Sequence, residues 1–312
     1  MSTTDFFYPL VESPELQGRI AAANVMSDLF SLGIVQGDTM LMLLGLPREM
    51  PGPDRDRTAE LLIAGFAAAV AEAGMSVTGG QTVVNPWPII GGVVTATVRD
   101  EEFILPHGIT PGMVLVLTKP LGTQLAVNAW QWRRKPDRCH QLDGILTPDE
   151  VAALYGGACQ SMATLNMAAA EGMHKFGAAG ATDVTGFGIL GHATNLARSV
   201  RAPVRFELHT LPVLKGALAV NQSAREGAAF RLTRGLSSET SGGLLVALPA
   251  DQADAYCAWL EARQGWAAWT VGRVVPRESA EASPIALPHE TMGDPSNDAV
   301  ILPDAEWLEV MI

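Results

Sequence analysis

The chain has 312 residues, 48% of them apolar and 17% charged, with a formal charge of −12. That length suggests roughly two domains, with ample apolar material for buried cores. An acidic chain without a compact run of lysine and arginine makes a poor nucleic-acid binder, so no nucleic-acid partner is expected.

The longest apolar run, Leu61 to Ala71, is too short to span a bilayer and reads as a buried helix, so no membrane partner is expected either. The N-terminus carries Asp5 and no basic flank leading into an apolar stretch, unlike a signal peptide. Cys139, Cys159 and Cys257 are far apart and in no CxxC pair. They suit reduced thiols in the cytoplasm better than a disulfide framework or a zinc site.

In chain order, Thr3 to Tyr8 reads as the end of a strand, with Asp5 on it. Ser13-Pro14-Glu15 is a helix start, and Ala21, Val25, Leu29 and Leu32 form the helix's apolar stripe up to Gly33. Asp28 lies at the edge of that stripe, where an unpaired carboxylate is costly. It wants a partner, either a hydrogen bond to backbone or arginine, or a metal ion. Met40 to Leu46 is a buried strand, Pro47 to Arg57 a loop, and Thr58 to Ala73 a helix. Ser76 to Val84 and Ile89 to Val98 form two strands around Asn85-Pro86-Trp87-Pro88. The pair Gly79-Gly80 inside the first marks a bulge or a close approach by another chain or ligand.

Phe103 to Gly112 is rich in Gly and Pro and reads as a domain joint, dividing the chain into 1–110 and 111–312. Met113 to Thr118 is a strand ending in Lys119-Pro120, and Gly122 opens a helix to about Trp132. A lysine at a strand end touches a phosphate or, more commonly, is simply solvated. Asp137 to Thr147 is a surface excursion, and Glu150 to Phe176 one long helix. Val204 to Leu208, Leu244 to Leu248 and Ala268 to Val275 are strands, with helices at Val213 to Val220 and Gln252 to Glu261. Glu239-Thr240-Ser241-Gly242-Gly243 is an anion-friendly turn, and the tail over 276–306 is expected to be poorly ordered.

The chemistry centres on Ala181 to His192. Asp183 precedes a Gly186-Phe187-Gly188 turn, after which Ile189, Ala193 and Leu196 recur at helical spacing. Glycines at a helix start let a phosphate approach the backbone, and a carboxylate beside a phosphate makes sense with a magnesium ion between them. The alternative, that Asp183 merely caps the helix, stays open on spacing alone. With Asp5 and Asp28, the set of carboxylates and glycine turns fits a nucleotide held through bridging metals.

The ordered set Thr3-Thr4-Asp5, Gly18-Arg19-Ile20-Ala21, Ser27-Asp28, Gly79-Gly80-Gln81-Thr82, Thr118-Lys119-Pro120-Leu121-Gly122, Thr182 to Gly188 and Thr240-Ser241-Gly242-Gly243 resembles selenophosphate synthetase. The stretch Gly79 to Trp87 is most similar to the eukaryotic branch. The resemblance implies an α+β, two-domain aminoimidazole-ribonucleotide-synthetase-like fold, paired through the N-terminal sheets in a homodimer. It implies conversion of ATP, selenide and water to selenophosphate, AMP and phosphate, with magnesium and potassium. Asp28 and Asp183 match metal ligands, and Asp5 matches an aspartate at the nucleotide and its metals. Gly79, Gly80, Gln81 and Thr82 match a segment that reaches the ATP of the neighbouring subunit.

The family carries its reactive cysteine or selenocysteine, an essential lysine and another metal-binding aspartate in a segment before the first strand. No residue from Met1 onward matches these, so the resemblance assigns no catalytic residue here, and this chain by itself is expected to turn over little. Alternatives are another ATP-using enzyme of the same fold, such as thiamine-phosphate kinase, or a non-catalytic paralogue acting as a nucleotide-binding regulatory dimer.

Overall fold

The computed structural model describes residues 1–224, 227–277, 294 and 296–312. In the N-terminal part, β1 (Ser2–Phe7), β2 (Thr39–Pro47), β3 (Val77–Asn85) and β4 (Ile89–Thr95) form one sheet in the order β1-β4-β2-β3. Only the β2–β3 pairing is parallel. Strand β2 buries Met40, Met42 and Leu44 on one face, against α1 (Pro14–Ser31) and α2 (Gly52–Glu72). The period of two follows from the pleat, which sends successive side chains to opposite faces. Ser13 caps α1 by accepting from the Leu16 N–H at 3.3 Å, with Pro14 in the first turn.

Helix α2 begins at Gly52, so the expected loop over 47–57 is half its predicted length. Pro51 and Pro53 bracket that start, where the missing proline N–H costs no intrahelical bond. A bulge does interrupt β3, at Thr78 beside the glycine pair, and Gly80 is pressed against β2. Its φ is +134°, the register with β2 shifts between Met40 and Leu41, and an added Cβ would lie 1.9 Å from the Met42 carbonyl oxygen.

The larger part contains β5 (Val114–Leu117), α3 (Thr123–Trp132), α4 (Pro148–Ala163), α5 (Met167–Lys175), β6 (Gly180–Asp183), α6 (Gly188–Arg198), β7 (Val204–Leu214), α7 (Ala217–Ser223), β8 (Leu244–Leu248), α8 (Ala253–Gln264), β9 (Trp269–Pro276) and β10 (Asp298–Val310). Its six strands run in the order β10-β7-β9-β5-β8-β6. Alternate residues of β5 and β8 feed two cores. Leu115, Leu117, Leu245 and Ala247 face α3, α4 and α6, while Val116, Leu244, Val246 and Leu248 face α5 and α8. This sheet covered on both sides explains why β8 is apolar throughout.

Three further expectations change. The helix predicted over 150–176 is two, α4 and α5, because Thr164 turns extended and Asn166 is committed to bonds outside the helix. The helix predicted over 213–220 starts later, since β7 continues to Leu214. Within the tail expected to lack order, residues 298–306 belong to β10, which pairs parallel to β7 across a bulge between Ile301 and Glu306. The remainder, at 278–293 and 295, lies outside the described residues.

Helix α1 joins the two parts. Ile20 packs in the core of the larger part, while Ala21, Val25 and Leu29 pack in the N-terminal core. Its Asn24–Asp28 turn therefore faces the crevice between the two sheets.

Candidate active site

Strand β1, helix α1 and the end of β6 bring Asp5, Asp28 and Asp183 together. The Thr3 hydroxyl donates to Asp28, and the Asn24 amide donates to Asp5. Asp5 also accepts from the Phe6 N–H at 2.7 Å and lies within β1 rather than at its end. From the other side, Ser241 donates its N–H to Asn24 at 3.2 Å. Asn166 donates both to the Ser27 hydroxyl at 3.0 Å and to the Gly242 carbonyl at 2.8 Å. The loop over 239–243 is thus tied to α1 by two amide side chains.

These carboxylates do not all sit in apolar settings. Asp5 and Asp28 are exposed to the crevice, and only Asp183 is buried. Burial pushes the Asp183 carboxyl up to about 6, the negative charges of Asp28 and Asp5 push the same way, and a hydrogen bond from Ser27 opposes them. Desolvation disfavours the charged form of any group, and a like charge adds to that cost. Asp28 is moreover felt by His192, whose imidazole is held below its ordinary value by burial. His192 Nε2 accepts from the Phe187 N–H at 3.3 Å, which fixes the start of the Gly-rich turn.

Lys119 is not solvated, contrary to the usual fate of a lysine at a strand end. It is 1% exposed, and its ammonium donates to the carbonyls of Thr164 at 2.7 Å and Ser241 at 3.0 Å. Burial lowers its amine to about 7, against the opposing pull of Asp183. Gly243 has to be glycine here, because a Cβ would stand 2.4 Å from the Lys119 backbone nitrogen.

Glu239 corrects the reading of its turn as an open anion site. Its carboxylate fills the start of α3, accepting from the N–H groups of Gly122 and Thr123, both at 2.8 Å, and from the Thr123 hydroxyl. Burial raises it to about 7 despite those bonds. Sequence reasoning named Lys119 and the Glu239 turn but missed the partners they take, two backbone carbonyls and the start of α3. Their only signal was a charged residue inside a short Gly- and Thr-rich motif.

Gly79, Gly80, Gln81 and Thr82 stand apart. Strand β3 is at the opposite edge of the sheet from β1, about 14 Å away by strand spacing, and is exposed along its length. Within one chain they do not join the carboxylates.

Among the described residues, no three His, Cys, Asp or Glu side chains form a ready-made metal cage. The donor set nevertheless fits magnesium, which takes one or two carboxylates and completes its shell with water and phosphate oxygens. All the groups on offer are oxygen donors or amides, and the cost of the buried Asp183 charge is what a cation would relieve.

Two α+β parts meeting over a carboxylate-lined crevice are the architecture of the AIR synthase related proteins. The N-terminal domain model of that family matches residues 1–98 and its C-terminal domain model residues 110–283. Among curated proteins, human selenide, water dikinase 2 is 47% identical over 310 residues, taking in 98% of this chain and 68% of the human protein. Selenide, water dikinase 3 of Danio rerio is 52% identical over 258 residues, 83% of this chain and 57% of that protein. The Dictyostelium discoideum selenide, water dikinase is 47% identical, over 89% of this chain and 76% of that protein.

The chain belongs to the selenide, water dikinase family, and it spans 57% of the length of the Danio rerio relative. Solved structures share the fold at lower identity. Thiamine-monophosphate kinase from Stenotrophomonas maltophilia matches with a TM-score of 0.67 at 18% identity, over 89% of this chain and 83% of that one. The hydrogenase maturation protein HypE in complex with ATP matches with 0.64 at 19%, over 88% and 76%. No helix among the described residues is long and apolar enough to cross a membrane.

Proposed function

We propose that this chain carries the nucleotide and metal site of ATP-dependent selenophosphate synthesis, in which ATP, selenide and water give selenophosphate, AMP and phosphate. The observation that carries the reading is the meeting of Asp5, Asp28 and Asp183 from two domains on one crevice, with Asp183 made costly by burial and by its neighbours' charge. The names of the curated relatives and the ATP in the HypE structure support it.

In this reading Asp28 and Asp183, with Asp5 beside the nucleotide, would hold magnesium, which when bound neutralises charge on the phosphates. Potassium is a second cation of the proposed reaction. The chain's own residues orient these groups. Asn24 fixes Asp5, Thr3 fixes Asp28, and Asn166 acts on Asp183 through Ser27. Lys119 pins the loop over 239–243 against the crevice, and its amine, lowered to about 7 by burial, is partly charged near Asp183. Phosphoryl transfer depends on such positioning and charge neutralisation far more than on covalent chemistry by the protein.

The assembly proposed is a cytoplasmic homodimer in which Gly79, Gly80, Gln81 and Thr82 of one subunit reach the ATP of the other. The exposure of every residue from Val77 to Val84 supports a partner there. The division into 1–110 and 111–312 is kept as the proposed domain boundary.

Titration calorimetry with a non-hydrolysable ATP analogue tests the site. Asp28→Asn and Asp183→Asn are each expected to lose magnesium-dependent binding. Binding that is unchanged in both variants overturns the assignment.

A further inference from the structure

A second cavity carries chemistry that the carboxylate crevice does not use. It has a volume of about 560 Å³ and runs the length of α6, from Phe187 past Leu190 and Thr194 to Arg198 in the last turn, with Arg231 and Leu236 also lining it. No acidic side chain lines it among the described residues. Neither Arg198 nor Arg231 forms an ion pair among those residues. On a chain of net charge −12, two guanidinium groups on one cavity without a carboxylate among the described residues locally reverse the field.

The walls are built rigidly. Arg231 sits in the left-handed region at φ 57°, a conformation only Ser241 shares among the described non-glycine residues. Such a residue is strained and persists where its surroundings hold it. Here the Arg231 N–H donates to the Gly227 carbonyl at 3.1 Å, and the Leu236 N–H donates back to the Arg231 carbonyl at 3.2 Å. Asn221 adds a bond to the Leu232 N–H at 3.1 Å.

The turn is then clamped to α6. The Leu190 N–H donates to the Gly235 carbonyl at 2.9 Å, and the Ser238 hydroxyl donates to the Gly186 carbonyl at 2.8 Å. Phe187 lies over Gly191, where any Cβ would come within 2.7 Å of the Phe187 Cβ, and the residue is 66% exposed, with its ring tilted against the His192 imidazole at 5.3 Å. An exposed aromatic residue and a strained arginine are thus both held at one cavity edge.

We propose that this cavity binds a small phosphomonoester, with its phosphate on Arg198 and Arg231 and its flat apolar body on Phe187 and Leu236. The volume falls in the range of small-molecule sites, about 300–1,000 Å³, and a few polar groups on an apolar lining are their usual make-up. The planar guanidinium fork matches phosphate oxygens two at a time, which suits a pair of arginines on one cavity. None of Asp5, Asp28 and Asp183 lines the cavity, and the proposal does not depend on the catalytic reading.

Calorimetric titration of the metal-free protein with phenyl phosphate tests the proposal. The wild-type chain is expected to saturate in the millimolar range or tighter, and to bind benzoate and inorganic phosphate more weakly. Arg231→Gly removes the charge while placing the residue best suited to φ 57° in the turn, so its fold is retained. It and Arg198→Gln should each weaken phenyl phosphate by ~10-fold, while Asp183→Asn does not weaken it. The proposal is overturned by an absence of saturable binding, by equal affinity in Arg231→Gly, by loss of binding in Asp183→Asn, or by benzoate binding as tightly.

Discussion

Replacing Asp183 by asparagine should stabilise the protein without ligand while abolishing the magnesium-dependent nucleotide binding proposed for it. The side chain keeps its size and loses a charge that the fold disfavours. Burial, with Asp28 and Asp5 behind it, raises the carboxyl from 3.8 to about 6. A tenfold change in proton affinity is about 1.4 kcal/mol, so the charged form costs the folded state at most ~3 kcal/mol near neutral pH.

Part of that is returned in the wild type by Lys119, whose buried ammonium Asp183 stabilises. The variant forfeits that attraction, leaving an expected gain of ~1–2 kcal/mol, or ~2–6 °C in melting temperature for a chain of this size. The sign with pH follows from linkage. A carboxyl raised on folding costs stability as pH climbs from 3.8 towards 6, so the advantage of the variant should be full near neutrality and vanish by about pH 4. Thermal unfolding with a chelator present, followed by circular dichroism at both ends of that range, is the assay. A variant that is less stable by the same margin at every pH refutes the argument, because Asp183 would then be a net stabilising partner.

The same logic extends to the whole protein. Glu239, raised from 4.5 to about 7, and Asp183 both lower stability as pH rises towards neutrality, while Lys119, depressed from 10.5 to about 7, lowers it until pH climbs well above 7. Ligand-free stability should therefore pass through a local minimum near pH 7, and denaturant titrations that find a maximum there would reject these assignments. Asp38, Glu150 and Asp294 are held below ordinary carboxyl values by hydrogen bonds and act only at more acid pH. For assembly, Val83, Val84 and Trp87 are 50%, 53% and 53% exposed on or just beyond β3. Val84→Lys should shift sedimentation from dimer to monomer at micromolar concentration, and a wild-type chain that is itself monomeric there removes the basis for the proposed dimer.

What the sequence shows of this fold depends on how local each cause is. Ser13-Pro14 and the stripe Ala21, Val25 and Leu29 define α1 because capping and burial act within a few turns. Strand β10 was hidden by Pro303 and by the acids around it, which read as tail. It forms because it is an edge strand, where a bulge and a proline are tolerated on the side without a partner. The break between α4 and α5 was equally unreadable, since Thr164 and Asn166 leave the helix to serve Lys119, Ser27 and Gly242, residues up to 139 positions away. The carboxylates were legible as residue types before a glycine turn, but the burial of Asp183 with Asp5 and Asp28 exposed was not. That division arises only where α1 crosses from one core to the other.

The placement of Lys119 bears on why so costly a cluster persists. Its ammonium is spent on two backbone carbonyls, Thr164 from the α4–α5 break and Ser241 from the loop that Asn24 and Asn166 also hold. One buried cation therefore fixes the larger domain's side of the crevice and tempers Asp183 without pairing with it directly. A lysine paired directly with Asp183 would neutralise it. Burial, with Asp28 and Asp5, instead holds the carboxyl at about 6, ionised at neutral pH yet still short of countercharge. A cation entering the crevice thus gains attraction that the folded chain has left unsatisfied, with the groups that receive it already locked by Thr3, Asn24 and Asn166. Such preorganisation costs the empty protein stability, and a site that must seize a phosphate-bound metal gains affinity from it.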